Sequence, residues 1–164
     1  MKNDKKSIER PLLLAMRYLS YRPRSVYEIE EYIKKKGFDK NIVKKTVEIL
    51  IEKNYLNDKD FTKLYIETMV RNRPKSKFAI EFALKKKGVD LSIIEPVLEQ
   101  YDDQSLAIKA VEPKIVRWQS FDKKKFKKKI MNFLVYRGFN YEICITTLNH
   151  FKNLKDKYEN WVSG

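Results

Sequence analysis

Lys36-Gly37-Phe38-Asp39, Lys87-Gly88-Val89-Asp90 and Arg137-Gly138-Phe139-Asn140 are one pattern written three times. Each copy has a basic residue, a glycine, an apolar residue and then Asp or Asn. The glycines stand 51 and then 50 residues apart, and self-similarity at such a period marks a repeat architecture. Eight residues before the glycines stand Ile29, Ile80 and Ile130, and four before stand Ile33, Leu84 and Leu134. That spacing puts one apolar stripe on a helix that ends at the glycine. After the glycines come Ile42, Ile93 and Ile143, then Val47, Leu98 and Leu148, then Leu50, Tyr101 and Phe151, on about one face of a following helix. A helix stop needs a residue in the left-handed region, which glycine enters without steric cost, and Asp39, Asp90 and Asn140 are placed to cap the next helix.

A third helix precedes each pair. In the first copy it is expected from about Pro11 to Tyr21, with Leu12, Met16 and Leu19 on one side. The second starts near Asp58, carries Phe61, Leu64, Tyr65, Thr68 and Met69, and ends by Arg73-Pro74. The third starts near Asp103 with Leu106, Ile108, Val111, Ile115 and Trp118, and Pro113 is expected to kink or split it. Ser25-Val26-Tyr27-Glu28 reads as a capping box, and Ser92-Ile93-Ile94-Glu95 offers a late start for the helix containing Pro96. No stretch alternates apolar and polar residues long enough for a strand.

The fold expected is all-α: three tandem three-helix, helix-turn-helix-like repeats forming an elongated curved molecule, which acts through a surface rather than a pocket. The divisions are a flexible segment 1–10, repeats 11–57, 58–102 and 103–154, and a tail 155–164 in which Tyr158 and Trp161 could fold back.

Composition narrows the function. Of the 164 residues, 36 are Lys or Arg and 22 Asp or Glu, a formal net charge of +14 that attracts polyanions, nucleic acid first. An anionic membrane surface or an acidic protein groove meets the same criterion. The basic residues concentrate where each repeat enters its middle helix. These junctions are Arg22-Pro23-Arg24-Ser25, Arg71-Asn72-Arg73-Pro74-Lys75-Ser76-Lys77 and Lys123-Lys124-Lys125-Phe126-Lys127-Lys128-Lys129. At equivalent places in stacked repeats they would form a stripe for a regular polyanion. The bland reading of any one lysine is a solvated helix face. Candidate contacts are therefore Arg22, Arg24, Arg71, Arg73, Lys75, Lys77, Lys123, Lys124, Lys125, Lys127 and Lys128. The arginines suit planar, bidentate contacts and the lysines diffuse attraction.

Catalysis has little to stand on. Cys144 is the only cysteine and His150 the only histidine, no phosphate-binding or nucleophile motif occurs, and Cys144 reads as an apolar filler. No enzyme activity, cofactor or metal is expected. With no disulfide pair, no secretory segment and no membrane-length apolar run, the expectation is a cytoplasmic protein without membrane contact.

The ordered set Arg22-Pro23-Arg24-Ser25, Lys36-Gly37-Phe38 and Tyr55-Leu56-Asn57-Asp58-Lys59-Asp60-Phe61, continued by Arg73-Pro74-Lys75-Ser76 and Lys87-Gly88-Val89, resembles the RecX family over roughly residues 11 to 152. These are bacterial regulators of the RecA recombinase. The resemblance implies an elongated, right-handed arrangement of three-helix repeats that binds along the groove of the RecA–DNA filament, and a monomer is expected. Its effect there is to inhibit filament growth, ATP hydrolysis and strand exchange in DNA repair, recombination and the SOS response. Members also bind single- or double-stranded DNA directly, so the alternative is an autonomous basic helical DNA-binding protein. This chain departs from the family pattern at Asn57, where an acidic residue is common, and at Thr62, where alanine is usual. It also has Lys75-Ser76-Lys77 in a loop that often carries glycine.

Overall fold

In the computed structural model the backbone is described for residues 2–162 and the side chains for residues 8–154. Nine helices and no strand occur among the described residues: α1 Lys2–Tyr21, α2 Val26–Lys35, α3 Lys40–Glu52, α4 Asp58–Asn72, α5 Lys77–Lys86, α6 Leu91–Leu98, α7 Asp103–Trp118, α8 Lys123–Tyr136 and α9 Tyr141–Val162. They follow one another in threes.

The repeated glycines act as stops. Gly37, Gly88 and Gly138 have φ of 88°, 73° and 84°, the left-handed region in which a Cβ is costly. Each amide turns back on its helix, to the carbonyls of Lys34, Lys85 and Val135 at 2.9 Å. Val89 and Phe139 add the longer return bond, to Leu84 and Leu134, at 3.2 Å. The next helix is then capped by side-chain oxygens: Asp39 accepts from the amides of Asn41 and Ile42, Asp90 from Ser92, and Asn140 from Ile143. At the end of α3 the same device uses Asn54 in place of glycine, at φ 57°, with the Tyr55 amide bonded to the Leu50 carbonyl at 2.8 Å.

Several expected details shift. The helix opening the first repeat begins at Lys2 rather than Pro11, and α9 continues to Val162. Pro11 removes one backbone bond without forbidding the helix, and no proline or glycine interrupts 155–162. The expected return of Tyr158 and Trp161 falls outside the described side chains. α7 runs unbroken through Pro113, and α6 starts at Leu91 under the Asp90 cap, not at Ser92. On α1, Met16 is exposed and Ala15 fully buried, with Leu12 and Leu19 half-buried; on α4, Leu64 is exposed while Thr62 and Ile66 are buried. Each pair of alternatives lies one or two residues apart, within the tolerance of a helical stripe, and the smaller side chain takes the tighter place at 15.

By proximity the chain groups into two compact units, Met1–Tyr65 with Ala83–Pro96, and Ile66–Phe82 with Val97–Gly164. The first has a core of Ala15, Ile29, Ile33, Val43, Val47, Leu50 and Leu56. The second is centred on Leu106, Val111, Phe126, Ile130, Leu134 and Leu148. The repeated apolar positions before the glycines are all at most 1% exposed, and burying each such side chain contributes roughly 1.5–3 kcal/mol.

Candidate functional site

The basic junctions are joints between one repeat and the next. In the first unit, Pro23 keeps the chain extended after α1 and Ser25 caps α2 in a reciprocal box with Glu28. The Ser25 hydroxyl also donates to the carbonyl of Lys87, at the end of α5, at 2.6 Å. The Val26 amide donates to Asp58 Oδ1, on the first turn of α4, at 2.8 Å. The start of α2 thus sits on the glycine stop of the following repeat. A Cβ on Gly88 would come 2.3 Å from Tyr27 Cβ, so this glycine serves the close approach as well as the turn.

Charge closes the joint. Glu28 Oε1 lies 2.6 Å from Arg22, 3.2 Å from Lys87 Nζ and 3.9 Å from Arg24. Burial pushes its pKa up, but hydrogen bonds from Arg22, the Ser25 amide and Lys87 outweigh burial and hold the carboxyl at about 2. The Arg24 side chain is 11% exposed. Its guanidinium lies 3.5 Å from the centre of the Tyr18 ring and donates to the Tyr18 hydroxyl at 2.7 Å, and Tyr18 stacks on Tyr32 at 3.9 Å. Burial raises the pKa of Asp58, partly offset by the Val26 amide.

The second unit repeats the plan of this joint with other bonding atoms and side chains. Ser76 caps α5 by accepting from the Ala79 amide at 3.1 Å, and its own amide donates to the Arg137 carbonyl at 3.1 Å. The Lys77 amide donates to Asp103 Oδ1, on the first turn of α7, at 2.7 Å. A Cβ on Gly138 would meet Ser76 Oγ and Ala79 Cβ, each at 2.8 Å. So Ser25, Val26, Asp58, Lys87 and Gly88 correspond to Ser76, Lys77, Asp103, Arg137 and Gly138. The residue that corresponds to Glu28 is Ala79, at the same offset of 51. Arg137 donates to the Pro74 carbonyl at 2.7 Å and lies over the Phe133 ring at 4.4 Å. Its burial, and then the neighbouring Arg73 charge, lower its pKa.

The eleven candidate contacts therefore divide. Arg22 and Arg24 are in the first unit, engaged with Glu28 and Tyr18. The other nine are in the second. Arg71 and Arg73 are exposed, Lys75 and Lys77 half-buried, and Lys123, Lys124, Lys125, Lys127 and Lys128 exposed on α8 around the buried Phe126. Lys125 Nζ rests 4.2 Å above the Phe121 ring. Sequence reasoning passed over Glu28, Lys87 and Arg137 as joint residues. The signal was there: a cation precedes every repeated glycine. Cys144 is fully buried, which pushes its thiol pKa up, and no group of three or more metal-ligating side chains is found among the described residues. No helix among those residues is long and apolar enough to cross a membrane.

Tandem three-helix repeats, docked serine cap to glycine stop with cations gathered at each joint, define a helical-repeat protein of helix-turn-helix type. Models of the first, second and third three-helix domains of RecX match residues 12–50, 57–98 and 101–146. The chain belongs to the RecX family of regulatory proteins. It is 34% identical over 149 residues to the regulatory protein RecX of Lactobacillus gasseri, covering 89% of this chain and 55% of that one. To the regulatory protein RecX of Chlorobium limicola it is 30% identical over 146 residues, covering 89% of this chain and 92% of that one. The chain spans about half the length of several curated relatives, the Lactobacillus johnsonii protein among them at 50%. Its structure is similar to the crystal structure of RecX from Lactobacillus salivarius, with a TM-score of 0.73 and 25% identity over 90% of this chain and 98% of that one.

Proposed function

We propose that the protein binds the RecA–DNA filament and inhibits the recombinase, without chemistry of its own. Membership of the RecX family supports the partner. The observation that carries the site is the second joint, where Ala79 stands in place of Glu28 and the Arg73 charge acts on Arg137. Arg71, Lys75 and Lys77 lie on the same short stretch of chain as Arg73. Cations that lack the counterpart of Glu28 are what an anionic partner, DNA backbone or acidic protein rim, would complete. Arg22 and Arg24 serve the first joint, so the contact is carried by Arg71, Arg73, Lys75 and Lys77, with Lys123, Lys124, Lys125, Lys127 and Lys128 supplying diffuse attraction. The protein acts as a cytoplasmic monomer that sums several weak contacts along a repeating partner.

The test is RecA ATPase on single-stranded DNA with Arg71→Glu and Arg73→Glu combined. Inhibition should be lost while far-UV circular dichroism remains helical; unchanged inhibition sinks this site. The lysine run of α8 favours a second reading, autonomous DNA binding. Salt-steep affinity for duplex DNA with no effect on RecA would select it.

A further inference from the structure

Between the end of α7 and the outer face of α8 in the second unit is a groove of about 380 Å³, within the roughly 300–1,000 Å³ range of small-molecule sites. Its floor is aromatic. Trp118 and Phe133 meet edge to face at 5.2 Å, and Tyr136, one turn beyond Phe133, is 88% exposed. Its rim is cationic: Lys125, Lys128 and Lys129 line it, and no carboxylate does among the described residues. Asn132 adds an amide that both donates and accepts.

The rings differ in how far the core holds them. Trp118 and Phe133 pack in part against the second core, but Tyr136 contributes nothing to it. Tyr136 thus presents an open ring beside three lysines. The lysines select an anion and the rings a flat π-face, and a ligand with both is an unpaired nucleotide. In a duplex the bases are stacked on each other and their faces are closed to side chains. Single-stranded nucleic acid offers free faces along a charged backbone, the combination that aromatic platforms in basic grooves bind.

We infer that this groove is a base-stacking site for single-stranded nucleic acid, with Tyr136 and Trp118 as the platform, Lys125, Lys128 and Lys129 on the phosphates, and Asn132 at a base edge. It rests on the nucleic-acid part of the function proposed above and adds a mode of contact that the joint cations do not provide.

In the full chain, Trp161→Phe leaves Trp118 as the only tryptophan. An oligothymidylate of roughly 20 nucleotides should quench its emission to saturation, and an abasic strand of equal length should bind about tenfold more weakly, the loss expected for about one stacked base. Tyr136→Ala should remove most of that tenfold preference; the ring is exposed, so the fold stays intact by circular dichroism. Lys128→Gln should instead weaken both strands alike and reduce the salt slope by about one. Equal affinity for the two strands, a preference untouched by Tyr136→Ala, or binding of neither strand overturns the inference. Quenching by an acidic aromatic peptide but not by the oligonucleotide overturns it too, and makes the groove a protein site. Recombinase inhibition that survives loss of stacking refutes this groove alone. Stacking that survives when Arg71→Glu/Arg73→Glu leaves inhibition unchanged refutes the joint site alone.

Discussion

The two joints share one docking plan and differ in how their charges are partnered. At each, a serine cap sits on the glycine stop of the next repeat, and an aspartate from that repeat accepts the first amide of the capped helix. Around the first, Glu28 gathers Arg22, Arg24 and Lys87 into a closed network. Around the second, Ala79 supplies no carboxylate and the Arg73 charge acts on Arg137, which is held by a carbonyl and a ring. The lesson is that the cap serine and the aspartate are what the two joints share. The carboxylate is an addition that ties three cations together at the first joint, and no equivalent of it stands at position 79 in the second.

Glycine substitution tests the shared part most severely. Gly88→Ala adds left-handed strain of roughly 1–2 kcal/mol and forces Tyr27 away from a 2.3 Å contact, an overpacking cost of roughly 1–3 kcal/mol more. Gly138→Ala meets milder contacts at 2.8 Å, one of them a hydroxyl that can turn. Gly37→Ala meets nothing within 4 Å and should cost only the strain. Urea midpoints should fall in the order Gly88, Gly138, Gly37, largest loss first. Equal losses for all three would mean that docking onto the glycine contributes nothing.

The closed network should make the first joint acid-sensitive. Glu28 is held at about 2 against an ordinary 4.5, so the folded state binds its proton less readily than the unfolded chain. That stability is complete above about pH 5 and is lost as pH falls through 4.5 toward 2. Glu28→Gln should therefore lower the urea midpoint at pH 7 and have much less effect near pH 2. A loss that is the same at both pH values would show that packing, not charge, is what Glu28 supplies.

How much of this was legible in the sequence follows from the kind of signal. Helices, stops and caps are local, written within a few residues of Gly37, Gly88 and Gly138, and they could be read there. Burial at Ile29, Ile80 and Ile130 followed from periodicity. The partners of Ser25 and Ser76 are about 60 residues away, and no local pattern says that a cap serine will sit on a distant carbonyl. For the same reason Arg22 and Arg24 read as free cations until Glu28 was placed between them and Lys87. The α8 lysines were visible as a run, whereas the groove beneath them needed Trp118 from another helix.

Exchanging the difference sharpens the comparison further. Ala79→Glu places a carboxylate beside Arg73 and Arg137, as Glu28 stands beside Arg22 and Lys87. Pairing of partly exposed charges should raise stability by only about 0.5–1 kcal/mol. Affinity for DNA should fall and its salt slope shrink by about one, because one cation is then neutralised internally. Unaltered affinity would remove the second joint from the anion-binding surface.

A local effect concerns the first helices of the repeats. Ala15 and Ala107 are fully buried there, and Thr62, four residues into α4 as Ala107 is into α7, is equally buried. Its hydroxyl has no hydrogen-bond partner. A buried, unpaired hydroxyl costs roughly 1–3 kcal/mol, part of which relaxation recovers. Thr62→Val keeps the branched shape and a similar helix propensity while removing the polar atom. The variant should be more stable than the parent by about 1 kcal/mol, read as a higher urea midpoint at an unchanged m-value. A lower midpoint would mean that the hydroxyl finds a partner in solution. The departure from alanine at this position would then be a second point at which the middle repeat differs in bonding from its neighbours, rather than a local defect tolerated by the fold.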